Sequence, residues 1–291
     1  MTAALSDEAP SEATRDVVCK EARVRVSERG AGKPLLLVHD FLSDRDEWAA
    51  VAGPLAERFR VLSIDLPGFG ESEKPTPARF GYDLDRFAEV LVGVAGALDA
   101  APLAVCGHGL GAAIGIALAE RDPSLVERLV LVAPPLFGAK PVSFSRAFAL
   151  PVVGPVAFKQ LYGRGALGWH FRRDVACKPS PERVARLFEA FNAPAAREAA
   201  TATLDALLDT RSVEARLARV SSPTLVVWGR RDALAPAALG RKLVRALPDA
   251  RLELLDSGHS PAEELPERFV EIAREFLAPP RASRPVPSRR P

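Results

Sequence analysis

The chain reads as an α/β protein, a mostly parallel central sheet with helices on both faces and a helical cap inserted between two late strands. Three observations predict this. Uninterrupted apolar runs recur (Leu35-Leu36-Leu37-Val38, Leu103-Ala104-Val105-Cys106, Leu129-Val130-Leu131-Val132), as strands buried on both faces require. Segments with helical apolar spacing separate them, Leu84, Phe87, Leu91, Val94 and Leu98 being the clearest. Strand and helix then alternate, the pattern of a parallel sheet joined by crossover helices. A chain of 291 residues can bury one such core and still accommodate an insertion.

The elements follow in order. Val24 and Val26 alternate with charged neighbours across residues 22–28, as in a half-exposed antiparallel strand, and Gly30-Ala31-Gly32 ends it. Pro34–Val38 is a buried strand, residues 48–59 are helical in pattern, and residues 60–65 form the next strand, closed by Leu66-Pro67-Gly68-Phe69-Gly70. After Ala133-Pro134-Pro135 the alternation stops. Val184, Leu187, Phe188 and Phe191 mark one amphipathic helix, and Leu204, Leu207 and Leu208 another. Strands return at Thr224–Trp228 and Arg251–Leu255, with a helix over 236–247 between them. A closing helix starts with Pro266 in its first turn and shows Phe269, Ile272 and Phe276 on one face. The domain reading is a core of residues 17–133 and 223–278, a helical cap over 134–222, and disordered tails at 1–16 and 279–291. The second tail holds four Arg and five Pro and no acid.

A formal net charge of +2, with 48 % hydrophobic and 26 % charged residues, gives no argument for nucleic acid. Cys19, Cys106 and Cys177 are odd in number and not spaced for metal, so neither a disulfide framework nor a zinc site is expected. The four histidines are scattered along the chain and add no metal site; no cofactor is expected. The start lacks a basic segment followed by an apolar one, and no run of about 18 apolar residues occurs, so the expectation is a soluble cytoplasmic protein.

The chemistry centres on Gly107-His108-Gly109-Leu110-Gly111, between an apolar strand and the small-residue helix that begins Ala112-Ala113-Ile114. Strand, tight turn and helix are the setting of a nucleophile elbow, whose pattern is G-x-S-x-G. Together with Leu35–His39, Asp65-Leu66-Pro67-Gly68-Phe69-Gly70-Glu71-Ser72, Trp228-Gly229-Arg230-Arg231-Asp232 and Gly258-His259-Ser260-Pro261, in that order, residues 20–278 resemble the α/β-hydrolase family. The resemblance implies Asp232 as the triad acid, His259 as its base, and the backbone N–H groups of Phe41 and Leu110 as the oxyanion hole. The chain departs from the family twice. Gly109 stands at the nucleophile position with no side chain to attack a carbonyl. Asp40 replaces the glycine usual after His39, bringing a carboxylate beside a site meant to stabilise negative charge, unless it turns outward to solvent.

Other residues offer little replacement. Cys106 belongs to the buried strand, Ser43 has no evident base, and Asp40 as a displaced carboxylate nucleophile would be off the elbow. His39 reads as structural, His108 as a spacer in the turn, and His170 as packing or surface in the cap. The favoured function is a non-catalytic protein that binds a small apolar molecule or a protein partner. The alternative is an enzyme using His259–Asp232 as a general base without an acyl-enzyme, in hydrolase, lyase or oxygenase-like chemistry. Basic residues among the apolar ones of 139–179 (Lys140, Arg146, Lys159, Arg164, Arg172, Arg173, Lys178), with the basic tail, allow a weak contact with anionic membrane.

Overall fold

The computed structural model describes residues 12–139, 160, 162–174 and 179–278. Eight strands form one sheet in the order β1-β2-β4-β3-β5-β6-β7-β8: β1 (Ala13–Cys19), β2 (Ala22–Arg29), β3 (Lys33–Val38), β4 (Phe59–Ile64), β5 (Leu103–His108), β6 (Val126–Val132), β7 (Thr224–Gly229) and β8 (Ala250–Leu255). β2 is antiparallel to both β1 and β4, and every pairing from β4 to β8 is parallel. The apolar runs read from the sequence are the central strands. Leu35, Leu36, Leu37 and Val38 in β3 and Leu225, Val226 and Val227 in β7 are essentially without exposure, because helices cover both sheet faces.

The α-helices among the described residues are α1 (Ala49–Ala56), α2 (Leu84–Ala97), α3 (Leu110–Arg121), α4 (Arg164–Trp169), α5 (Pro181–Asn192), α6 (Pro194–Leu208), α7 (Arg211–Glu214), α8 (Ala238–Ala246), α9 (Pro261–Glu264) and α10 (Pro266–Leu277). α2 starts on the Asp83 carboxylate, which accepts from Arg86 N–H, and α5 on the Ser180 hydroxyl, which accepts from Arg183 N–H; Pro181 sits in the first turn of α5. α3 is the most deeply placed helix, with every residue from Leu110 to Ala119 buried, and its Ala and Gly residues let it lie close on β5 and β6. α4 to α7 fall between β6 and β7, where the alternation of the sequence breaks off. They are tied to the sheet domain by ion pairs, Arg183 to Glu263 and Arg186 to Asp46 at 2.7 Å.

One expectation is corrected. The N-terminal tail read over 1–16 loses its last residues to β1, which pairs with β2 from Ala13↔Glu28 to Cys19↔Ala22. Only Val17 and Cys19 of this edge strand are buried. Its charged residues pair along the strand instead, Asp16 with Arg23 and Arg25 at 2.9 and 3.0 Å, so composition alone looks like tail. Residues 1–11, the 279–291 tail and most of the basic stretch, including Lys140, Arg146, Lys159 and Lys178, lie outside the described residues. No described helix is long and apolar enough to cross a membrane.

Because β3 to β8 run the same way, the segments after β3, β5, β7 and β8 emerge on one edge of the sheet. That edge gathers Asp40, Gly109, Asp232 and His259, far apart in sequence.

Candidate functional site

The turn between β5 and α3 is built from glycines for steric reasons. A Cβ on Gly107 would lie 2.3 Å from the Gly111 backbone, and a Cβ on Gly111 would lie 2.1 Å from the Val38 carbonyl oxygen, so neither position tolerates a side chain. Gly109 at the apex has φ +47 and ψ −108, a left-handed conformation that only glycine adopts cheaply. A Cβ there would meet Asp40 Oδ1 at 1.7 Å and Cγ at 2.1 Å. The Asp40 carboxylate therefore occupies the space that any side chain at 109 would enter.

Asp40 turns inward, not to solvent. Its Oδ1 accepts from Leu110 N–H at 2.7 Å, so one of the two expected oxyanion-hole donors is already engaged by this chain's own carboxylate. Its Oδ2 is 3.4 Å from His259 Nε2. The other ring nitrogen of His259, Nδ1, is 2.7 Å from Asp232 Oδ2, while Asp232 Oδ1 accepts from Leu234 and Ala235 N–H at 2.9 and 2.8 Å. The expected pairing of Asp232 with His259 is thus present, held by an Asp-type turn after β7 and by Glu264, which accepts from Gly258 N–H at 2.8 Å. Phe41 is buried, its ring edge-on to Phe69 at 6.0 Å.

The imidazole of His259 lies between two carboxylates. Burial disfavours its charged form, but Asp232 and Asp40 on its two nitrogens outweigh that, and its pKa is pushed up to about 10. Burial would raise Asp40, yet His259, the charge of His108 and Leu110 N–H hold it well below the usual carboxylate range. At neutral pH His259 is an imidazolium facing the Asp40 carboxylate.

Sequence reasoning missed a second pair. His108, read there as a spacer, has Nδ1 2.6 Å from Glu47 Oε1 and Nε2 2.9 Å from the carbonyl oxygen of His259. The His259 carbonyl only accepts, so Nε2 donates to it, and the Glu47 carboxylate on Nδ1 favours the charged ring. Burial lowers its pKa, but the Glu47 charge and hydrogen bond raise it overall, and His108 in turn lowers Glu47 against burial. Glu47 Oε2 also accepts from Asp40 N–H at 3.1 Å. The rings of His108 and His259 are 4.8 Å apart, so two of the four histidines taken as scattered are neighbours. Glu47 carries no sequence signal, since its partner is 61 residues away.

The remaining expectations fall into place around this cluster. His39 is structural: Nε2 accepts from Leu66 N–H at 3.0 Å, leaving Nδ1 as donor to the Asp40 carbonyl at 2.7 Å. Cys106 is buried in β5 and burial pushes its thiol up, away from thiolate chemistry. Ser43 is buried and its hydroxyl has no hydrogen-bond partner among the described residues, so no base activates it. It lines a small cavity of about 20 Å³ with Leu42, Phe69, Leu187 and Phe191. His170 is buried in the insertion, against Phe171.

Residues 33–266 match the family model described as the alpha/beta hydrolase fold. The chain is 29 % identical over 274 residues to the 2-hydroxymuconate semialdehyde hydrolase of Pseudomonas sp. (strain CF600), covering 91 % of this chain and 93 % of that one. It is 30 % identical over 260 residues to the pimeloyl-[acyl-carrier protein] methyl ester esterase of Nitrosomonas europaea, covering 86 % and 97 %. Among solved structures, the enol-lactonase of Burkholderia xenovorans LB400 superposes with a TM-score of 0.73 at 23 % identity, over 90 % of this chain and 99 % of that one, a likeness of fold. The family match, the identities to hydrolases and the eight-stranded sheet together place the chain in the α/β-hydrolase family.

Proposed function

We propose that this protein is a non-acylating member of its family, a binding protein on a hydrolase frame. Gly109 stands where the elbow presents its nucleophile, and the Asp40 carboxylate fills the space that a serine would need. That single placement supports the reading. A carboxylate on Leu110 N–H takes up a donor that would otherwise stabilise an oxyanion, and its negative charge opposes a second one there. His259 already holds a proton, so it is no base for a serine that is not present. The cavity by Ser43, Leu187 and Phe191, about 20 Å³, has room for about one water, which favours a protein partner over a small apolar molecule as the occupant.

A second reading, catalysis with His259 as general base and no covalent step, has the intact Asp232–His259 bond in its favour. It requires Asp40 to withdraw, because Asp40 faces the nitrogen that would take the proton. The test of the primary reading is labelling with a fluorophosphonate, which reacts with activated hydroxyls. No stoichiometric adduct is expected in the intact mass. An adduct mapped to Ser43 or any other residue contradicts the non-acylating reading.

A further inference from the structure

We infer that Asp40, His108 and His259 form a binding site for a divalent transition-metal ion of the zinc or ferrous type. One carboxylate oxygen and the two imidazole nitrogens of these residues lie within 4.8 Å of one another. The inference rests on the reading of Gly109 given above, since only a side-chain-free turn leaves room for Asp40.

The donor set and its supports carry the argument. Histidine ligands usually give their second ring nitrogen to a carboxylate, which fixes the tautomer and aims the ring. Here both histidines do so, His259 Nδ1 to Asp232 at 2.7 Å and His108 Nδ1 to Glu47 at 2.6 Å. His259 Nε2 faces Asp40 Oδ2, while His108 Nε2 lies on the His259 carbonyl oxygen beside them. That carboxylate is itself anchored by Leu110 N–H on Oδ1, and its backbone N–H is held by Glu47, leaving Oδ2 towards His259. Ligands about 2.0–2.1 Å from a tetrahedral ion stand roughly 3.4 Å from each other. Asp40 Oδ2 and His259 Nε2 are 3.4 Å apart, long for a hydrogen bond between charged groups. His108 joins by turning its Nε2 from the His259 carbonyl, which it contacts at 2.9 Å.

Two histidines and one carboxylate select zinc or ferrous ions over magnesium or calcium, which prefer oxygen alone. Three protein donors also leave a position for water or another ligand, as catalytic rather than structural sites do.

The test uses the full chain, purified without a polyhistidine tag, stripped with chelator, and titrated with Co²⁺. One equivalent should bind with visible d–d absorption, be displaced by Zn²⁺ and resist Mg²⁺. Asp40→Asn, His108→Gln and His259→Gln should each weaken binding at least tenfold, and Glu47→Gln, outside the ligand set, by about 10-fold or more. His170→Gln should leave it unchanged. Because buried variants can fail to fold, anomalous diffraction from wild-type crystals soaked in Zn²⁺ gives an independent reading, with the peak expected among the three side chains. No saturable Co²⁺ binding, binding indifferent to the three ligand substitutions, or a peak elsewhere overturns the inference. If metal fails to bind and the fluorophosphonate also fails to label, the metal site alone falls; labelling overturns the non-acylating reading whatever the metal result.

Discussion

The two flanks of His259 differ in kind. On its Nδ1 side everything a catalytic dyad requires is present: Asp232 at 2.7 Å, two backbone N–H groups orienting that carboxylate, and Glu264 bracing the loop. On its Nε2 side there is Gly109 with no side chain and Asp40 with one that reaches into the gap. The flanks teach that the space beside a side-chain-free position in a packed site is filled from a neighbouring loop. Here the loop after β3 fills it with a fixed anion, the Asp40 carboxylate on Leu110 N–H. The Nε2 flank is also the one resting on the Glu47–His108 pair.

The largest expected effect tests that support. His108→Ala leaves Glu47 buried with no counter-charge, and breaking a buried pair in this way costs about 3–5 kcal/mol. Urea unfolding should register that loss. A change under about 1 kcal/mol would mean that the altered flank does not depend on the second pair. Glu47→Gln keeps the shape and should cost less.

Next comes pH. His259 goes from an ordinary value of 6.5 to about 10 in the folded chain, so it adds stability that is fully present below pH 6.5 and is lost as pH rises through about 10. Chelator-treated protein should therefore lose unfolding free energy across that window. Asp40→Asn removes one of the two carboxylates, so the upper end of the window should move down, while Asp232 still holds the ring. A profile flat from pH 6.5 to 10 would show that the imidazole is not held between two charges.

Much of the Nδ1 flank was legible in the sequence because its signals are local. Asp232 follows an apolar strand end, His259 follows Gly258, and their order along an alternating chain is the family's. The Gly109 turn was legible for the same reason. Asp40 stood out as a departure, but whether it faced solvent or the turn depends on Leu110 N–H and His259, contacts made only in the fold. The Glu47–His108 pair was not legible at all. It joins a short turn after β3 to the end of β5, and nothing in either segment announces a buried acid. β1 was hidden for the converse reason, as an edge strand whose exposed charges read as tail.

The most direct measurement of the central claim, that Asp40 has taken the space of a side chain at 109, is a double-mutant cycle between Gly109→Ser and Asp40→Gly. Gly109→Ser alone places a Cβ where Asp40 Oδ1 now sits and strains the backbone, and should cost about 2–3 kcal/mol. With Asp40→Gly added, most of that loss should return as a coupling on the order of 1–3 kcal/mol, and hydrolysis of short p-nitrophenyl esters should appear in the double variant well above either single one. Additive stabilities, or full esterase rates from Gly109→Ser alone, would contradict the account.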